Sequence, residues 1–115
     1  MVVPVYLEIP LRVVLLLLAV FLSSAASVQT RTAPHNVYSS TRERADLATM
    51  QRLRACGIRV VAEDSNFYEG LAPGFYVVIS DPLPSPAAAA EQLAKARGCG
   101  VAGQTRMVRR RIAAD

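Results

Sequence analysis

Residues 75–101 read FYVVISDPLPSPAAAAEQLAKARGCGV, and the fold follows from how this stretch is punctuated. Residues 75–79 are an unbroken run of aromatic and β-branched side chains, which predicts a central strand over 75–80 with cover on at least one face. Three prolines within residues 81–86 end it. Ser85 then supplies an N-cap and Pro86 an N1 proline, so a helix runs through AAAAEQLAKAR, residues 87–97, and stops at Gly98. Residues 104–109 form a last strand.

The same grammar appears upstream. Residues 36–40 (NVYSS) read as a weak strand, and Ser40 with Glu43 makes a Ser-x-x-Glu capping box for a helix reaching about Ala55. Ala45, Leu47, Ala48, Met50 and Leu53 give it a helical stripe. Gly57 ends it, and residues 58–62 (IRVVA) are a β-branched strand. Residues 64–74 (DSNFYEGLAPG) are dense in turn formers yet hold two aromatics and Leu71, which predicts a structured excursion packed by its own side chains. Each half therefore runs strand, serine-capped helix, then Cys-Gly and a β-branched residue: Cys56, Gly57 and Ile58 in the first, Cys99, Gly100 and Val101 in the second. The order βαββαβ predicts an α+β, ferredoxin-like or RNP-like domain: a four-stranded antiparallel sheet with both helices on one face and the other face open.

At 115 residues there is room for one domain of roughly 75–85 residues. It is assigned to residues 36–111, after a polar linker over 27–35 and before a tail over 112–115. Residues 13–22 (VVLLLLAVFL) follow Arg12 and precede the small residues Ser23, Ser24, Ala25, Ala26 and Ser27. Ten apolar residues are short for a bilayer span and typical of a secretory h-region. Residues 1–26 thus read as a signal peptide, or, if MVVPVYLEIP joins the span, as a signal anchor. Either way the domain is expected outside the cytoplasm, in the periplasm or cell wall or secreted, with a membrane contact only if residues 11–26 stay attached.

The net charge is +4, and Lys95 is the only basic residue that is not arginine. Such a balance suits nucleic acid, anionic lipid or anionic wall polymers, and export removes the first, so no nucleic-acid partner is expected. An anionic-surface role for the cluster Arg106, Arg109, Arg110 and Arg111 ranks below a solvated tail. Two cysteines at equivalent helix ends of an exported chain predict a Cys56–Cys99 disulfide. Metal binding would need more ligands than these and His35, the single histidine, which is placed in the linker. No serine has a base beside it, Asp64 and Glu69 read as loop carboxylates, and the glycines form no phosphate loop. The chain is therefore expected to be no enzyme and to use no metal or cofactor.

Binding is then assigned to the open sheet face. The more apolar parity, Phe75, Val77 and Ile79, is expected to meet the helices, leaving Tyr76, Val78 and Ser80 outward. Tyr38, Ser40, Arg59 and Arg106 are expected to join Tyr76 in a surface that can stack on sugar rings or on bases.

Two stretches, LRACGIRVV (53–61) and LAPGFYVVISDPLPSPAAAAEQLAKARGCGV (71–101), resemble the SPOR domain (sporulation-related repeat). Its pattern has a Leu-x-x-x-Gly helix end and strand, then Pro-Gly-Tyr-Tyr-Val-Val-x-x-Gly-Pro-Phe and an alanine-rich helix. Pro73, Gly74, Phe75, Tyr76, Val77, Val78 and Pro82 match. Asp81 stands in place of the usual glycine, Leu83 in place of the aromatic, and Tyr38, Ser39 and Ser40 in place of a Gly-Ser-Phe strand ending. The resemblance implies a βαββαβ fold that binds peptidoglycan, commonly glycan strands stripped of stem peptides at division sites, through Tyr38, Ser40, Arg59, Tyr76 and Arg106. The alternative is an envelope or divisome protein-interaction domain that has lost glycan binding.

Overall fold

In the computed structural model the residues described are 31–111; the apolar N-terminal segment, the first four residues of the linker and the tail over 112–115 lie outside them. The elements are β1 (Ala33–Thr41), α1 (Leu47–Ala55), β2 (Val60–Asp64), a 3-10 turn (Ser65–Phe67), β3 (Tyr68–Glu69), β4 (Tyr76–Ser80), α2 (Pro86–Gly98) and β5 (Gln104–Arg110). All strand pairs are antiparallel, in the order β2-β4-β1-β5-β3. The α+β class and the βαββαβ frame thus hold, with β4 central, but the sheet has five strands because the excursion contributes the two-residue β3.

Several boundaries differ from expectation. The Ser40–Glu43 box does not open α1, because Ser40 is held in β1 opposite Val77. Asp46 caps the helix instead: its Oδ1 accepts from the Thr49 amide at 3.1 Å and its Oδ2 from the Ser39 hydroxyl at 2.9 Å. The Thr49 bonds, with help from Ser39, hold the Asp46 carboxyl below its ordinary range. The first strand begins at Ala33, so residues 33–35 belong to the sheet and not to a linker. β5 holds Arg106 and Arg109 as expected and extends one residue further, to Arg110.

The two helix ends are built alike. Past α1, the amides of Gly57 and Ile58 donate to the carbonyls of Arg54 and Leu53, each at 3.0 Å; past α2, Gly100 and Val101 do the same to Arg97 and Ala96, each at 3.0 Å. This double bond pattern requires a left-handed residue after the cap, and Gly57 (φ 79) and Gly100 (φ 82) supply it. The β-branched residue that follows each glycine drops into the core beside Leu53 and Ala96. Cys56 and Cys99 occupy the two C-caps and stand at disulfide distance, with Cα atoms 6.6 Å apart. Ser85 caps α2 as its sequence predicts, accepting from Ala88 N–H at 3.1 Å.

Each sheet face carries a core. Under the helices lie Tyr38, Leu53, Ile58, Val60, Val78, Ala96 and Val101. The opposite face holds Val37, Val77, Ile79 and Val108, and Tyr68, Leu71 and Phe75 pack on it. The expected parity of β4 is therefore reversed: Val78 meets the helices, while Val77 and Ile79 face away. Nor is the second face open. The chain leaves β2 at one edge and lays β3 on the far edge, so residues 65–75 cross that face. At the free edge of β2, the Arg54 guanidinium donates to the outward carbonyl of Val60 through Nε (3.2 Å) and Nη2 (3.1 Å).

Candidate functional site

The five residues expected to form one outward surface are dispersed. Tyr38 is only 8% exposed. Alternating with Val37 of the second face, Tyr38 points toward the helices, where its hydroxyl donates to Gln92 Oε1 at 2.7 Å; the ladder slip between Val37 and Ser39 then puts Ser40 on the other face. Burial pushes the Tyr38 phenol above its ordinary value. Tyr76 is exposed but shares its side of β4 with Val78, the helix side. Arg59 lies in the α1–β2 turn, paired with Asp81 at 3.2 Å. Ser40 and Arg106 do fall on the second face. Arg106 opposes His35 in β1, five residues from Ser40, which separates them by about 16 Å at the usual strand rise.

His35 corrects a further expectation. It is 2% exposed, not a solvated linker residue, and its ring stands edge-on to Tyr68 with centroids 5.9 Å apart. Its Nδ1 donates to the Ala33 carbonyl at 2.9 Å. Desolvation lowers its pKa, opposed by that bond and by the charge of Asp81.

Beside it, Asn36 is fully buried and fully bonded. Its Nδ2 donates to the Ala89 carbonyl and to Gln92 Oε1, both at 3.0 Å, and its Oδ1 accepts from the Thr105 hydroxyl at 2.7 Å. This knot pins α2 to β1 and β5, a structural task rather than a chemical one.

What the second face presents instead is the excursion. Tyr68 lies across the sheet with its hydroxyl donating to Glu63 of β2 at 3.0 Å and accepting from Arg110 of β5 at 3.2 Å; Arg110 also binds Glu63 directly. Burial, then the charge of Glu63, pushes the Tyr68 phenol up to about 12. The Arg110 guanidinium also stacks 5.6 Å from the centroids of both Tyr68 and Phe67, and Phe67 remains 47% exposed. Arg109 donates to Glu69 at 2.9 Å, and this bond holds the Glu69 carboxyl below its ordinary range. Gly70 lets the excursion close on β5: its φ is +104, and a Cβ there would stand 2.8 Å from the Met107 carbonyl oxygen.

An aromatic and arginine surface is thus present, but Phe67, Tyr68 and Arg110 form it. The signal in the sequence was the placement of Phe67, Tyr68 and Leu71 in a segment otherwise composed of turn formers. No protein-family model matches the chain, and neither a curated protein nor a solved structure matches it.

Proposed function

We propose that this chain is an exported, non-enzymatic SPOR-like module that docks on the peptidoglycan layer, with its contact surface on the excursion. The observation that carries this reading is Phe67, nearly half exposed with the Arg110 guanidinium stacked beside it. An exposed ring flanked by a cation suits a pyranose face bearing an anionic substituent. Arg106, exposed on the same side of the sheet, extends the cationic ground, and the net charge of +4 favours a polyanionic wall. The cysteine pair at disulfide distance agrees with an oxidising compartment.

A second reading has its own support. The sheet face to which the resemblance assigns glycan is filled by Tyr68, Leu71 and Phe75. That favours an envelope protein-interaction domain that has lost glycan binding.

Co-sedimentation with purified wall sacculi separates the two. Docking through the excursion predicts that the protein pellets and that Phe67→Ala lowers binding about fivefold, the worth of roughly 1 kcal/mol for one aromatic contact. Tyr76→Ala should leave binding unchanged. Pelleting that salt abolishes and Phe67→Ala does not touch would replace the aromatic contact with diffuse arginine attraction. A protein that stays in the supernatant would favour the second reading.

A further inference from the structure

A groove of about 460 Å³ opens on the helix side of β2, between the α1–β2 turn and the connection from β4 to α2. That volume lies in the range of small-ligand sites. Pro82, Leu83 and Ala88 supply apolar surface, and the charged lining residues are Arg59, Asp81, Glu91 and Lys95. Both signs are therefore present around one concavity.

These charges are poorly used within the protein. Arg59 and Asp81 pair at 3.2 Å, but their side chains are 89% and 48% exposed, so solvent screening leaves the pair weak and open to exchange. Glu91 and Lys95 stand four residues apart on exposed positions of α2, the spacing at which opposite charges usually meet. They do not pair. The four ion pairs among the described residues involve neither of them. Lys95 instead reaches across the groove to the end of α1, where its Nζ lies 3.4 Å from the point a Cβ on Gly57 would occupy.

We infer that this groove binds a short zwitterionic peptide. Lys95 and Arg59 receive a carboxylate, Glu91 and Asp81 an ammonium, and Pro82 with Leu83 a small apolar side chain such as that of alanine. A stripped, acetylated glycan strand has no positive group, so it would leave Glu91 without a partner, and a polyphosphate would be repelled by the two carboxylates. In a wall-docking protein the matching ligand is the stem peptide. This assignment of the source rests on the wall-docking reading proposed above, whereas the charge pattern of the groove does not. The module would then touch sugar through Phe67 and peptide through the groove.

Titration calorimetry of the oxidised protein with three probes tests this: a free stem tetrapeptide carrying a diamino acid, the disaccharide-tetrapeptide, and the same disaccharide without peptide. The two peptide-bearing probes should bind, and the bare disaccharide should show no contribution from the groove. Glu91→Gln and Lys95→Gln, both at exposed helix positions, should each weaken peptide binding about tenfold with the thermal midpoint unchanged, the size expected for losing one charged contact. Acetylating the peptide amine should mimic Glu91→Gln, and amidating its carboxylates should mimic Lys95→Gln. The inference is overturned if the free peptide does not bind, or if it binds equally to both variants. A protein that pellets with sacculi yet ignores the free peptide refutes the groove and leaves wall docking standing. Peptide binding that needs Glu91 and Lys95 in a protein whose pelleting ignores Phe67→Ala refutes the excursion contact alone.

Discussion

Replacing both cysteines, Cys56→Ser with Cys99→Ser, should remove about 4 kcal/mol of stability, the chain-entropy value for a cross-link spanning 43 residues. A domain of this size has a total of roughly 5–10 kcal/mol, so about half of it is at stake. The native helix ends should survive the change, because the paired amide bonds of Gly57, Ile58, Gly100 and Val101 do not involve sulfur. The cost then falls on the unfolded chain, which regains the freedom of the opened loop. Urea unfolding of oxidised protein, reduced protein and the double serine variant is the assay. Reduced and double-serine proteins should coincide, and their thermal midpoints should fall by roughly 15–30 °C for a domain of this length. A variant within about 1 kcal/mol of the oxidised protein would refute the reasoning, as would two free thiols in protein isolated without reductant.

Asn36→Ala should cost about 3 kcal/mol, because it strands the Thr105 hydroxyl and opens a gap beside Gln92 and α2; urea unfolding reads it, and a loss near zero would mean the knot relaxes around water. The lowered pKa of His35 makes the unfolded chain the better proton acceptor between the folded value and 6.5, so stability should fall as pH drops through that window. Thermal midpoints between about pH 7.5 and 5.5 should show the fall, and His35→Gln should flatten it. Gly70→Ala forces a Cβ onto the Met107 carbonyl at a left-handed φ. It should unseat the excursion at about 2 kcal/mol, seen as faster limited proteolysis within residues 65–75 while far-UV dichroism of the helices persists.

The helix ends were the most readable part of the sequence. A cap, a following glycine and a β-branched residue are local chemistry, so Ser85, Gly57 and Gly100 could be assigned without knowing the sheet. The start of α1 was less readable, because Ser40 and Asp46 both offer caps and the choice rests on Ser40 pairing with Val77 across the sheet. The parity of β4 could not be settled by apolarity, since Val77, Val78 and Ile79 are all buried. An unbroken apolar strand implies cover on at least one face, and Tyr68 and Leu71 in a turn-rich segment turned out to cover the second. The site suffered most from this. Tyr38 was expected to join Tyr76 outward, but it alternates with Val37 and so lies under α2, and a bulge, which no local residue announces, sends Ser40 to the other face.

The guanidinium of Arg54 on the Val60 carbonyl has a consequence for the molecule in company. β2 ends the sheet, and a bare strand edge is a template on which another chain can add. One backbone acceptor of that edge is already spoken for by a charged side chain that a neighbouring strand would have to displace. At the opposite edge, Tyr68 and Glu69 take the last pairing positions of β5. A domain crowded against identical copies at a surface is thereby discouraged from growing sheet onto sheet into fibres.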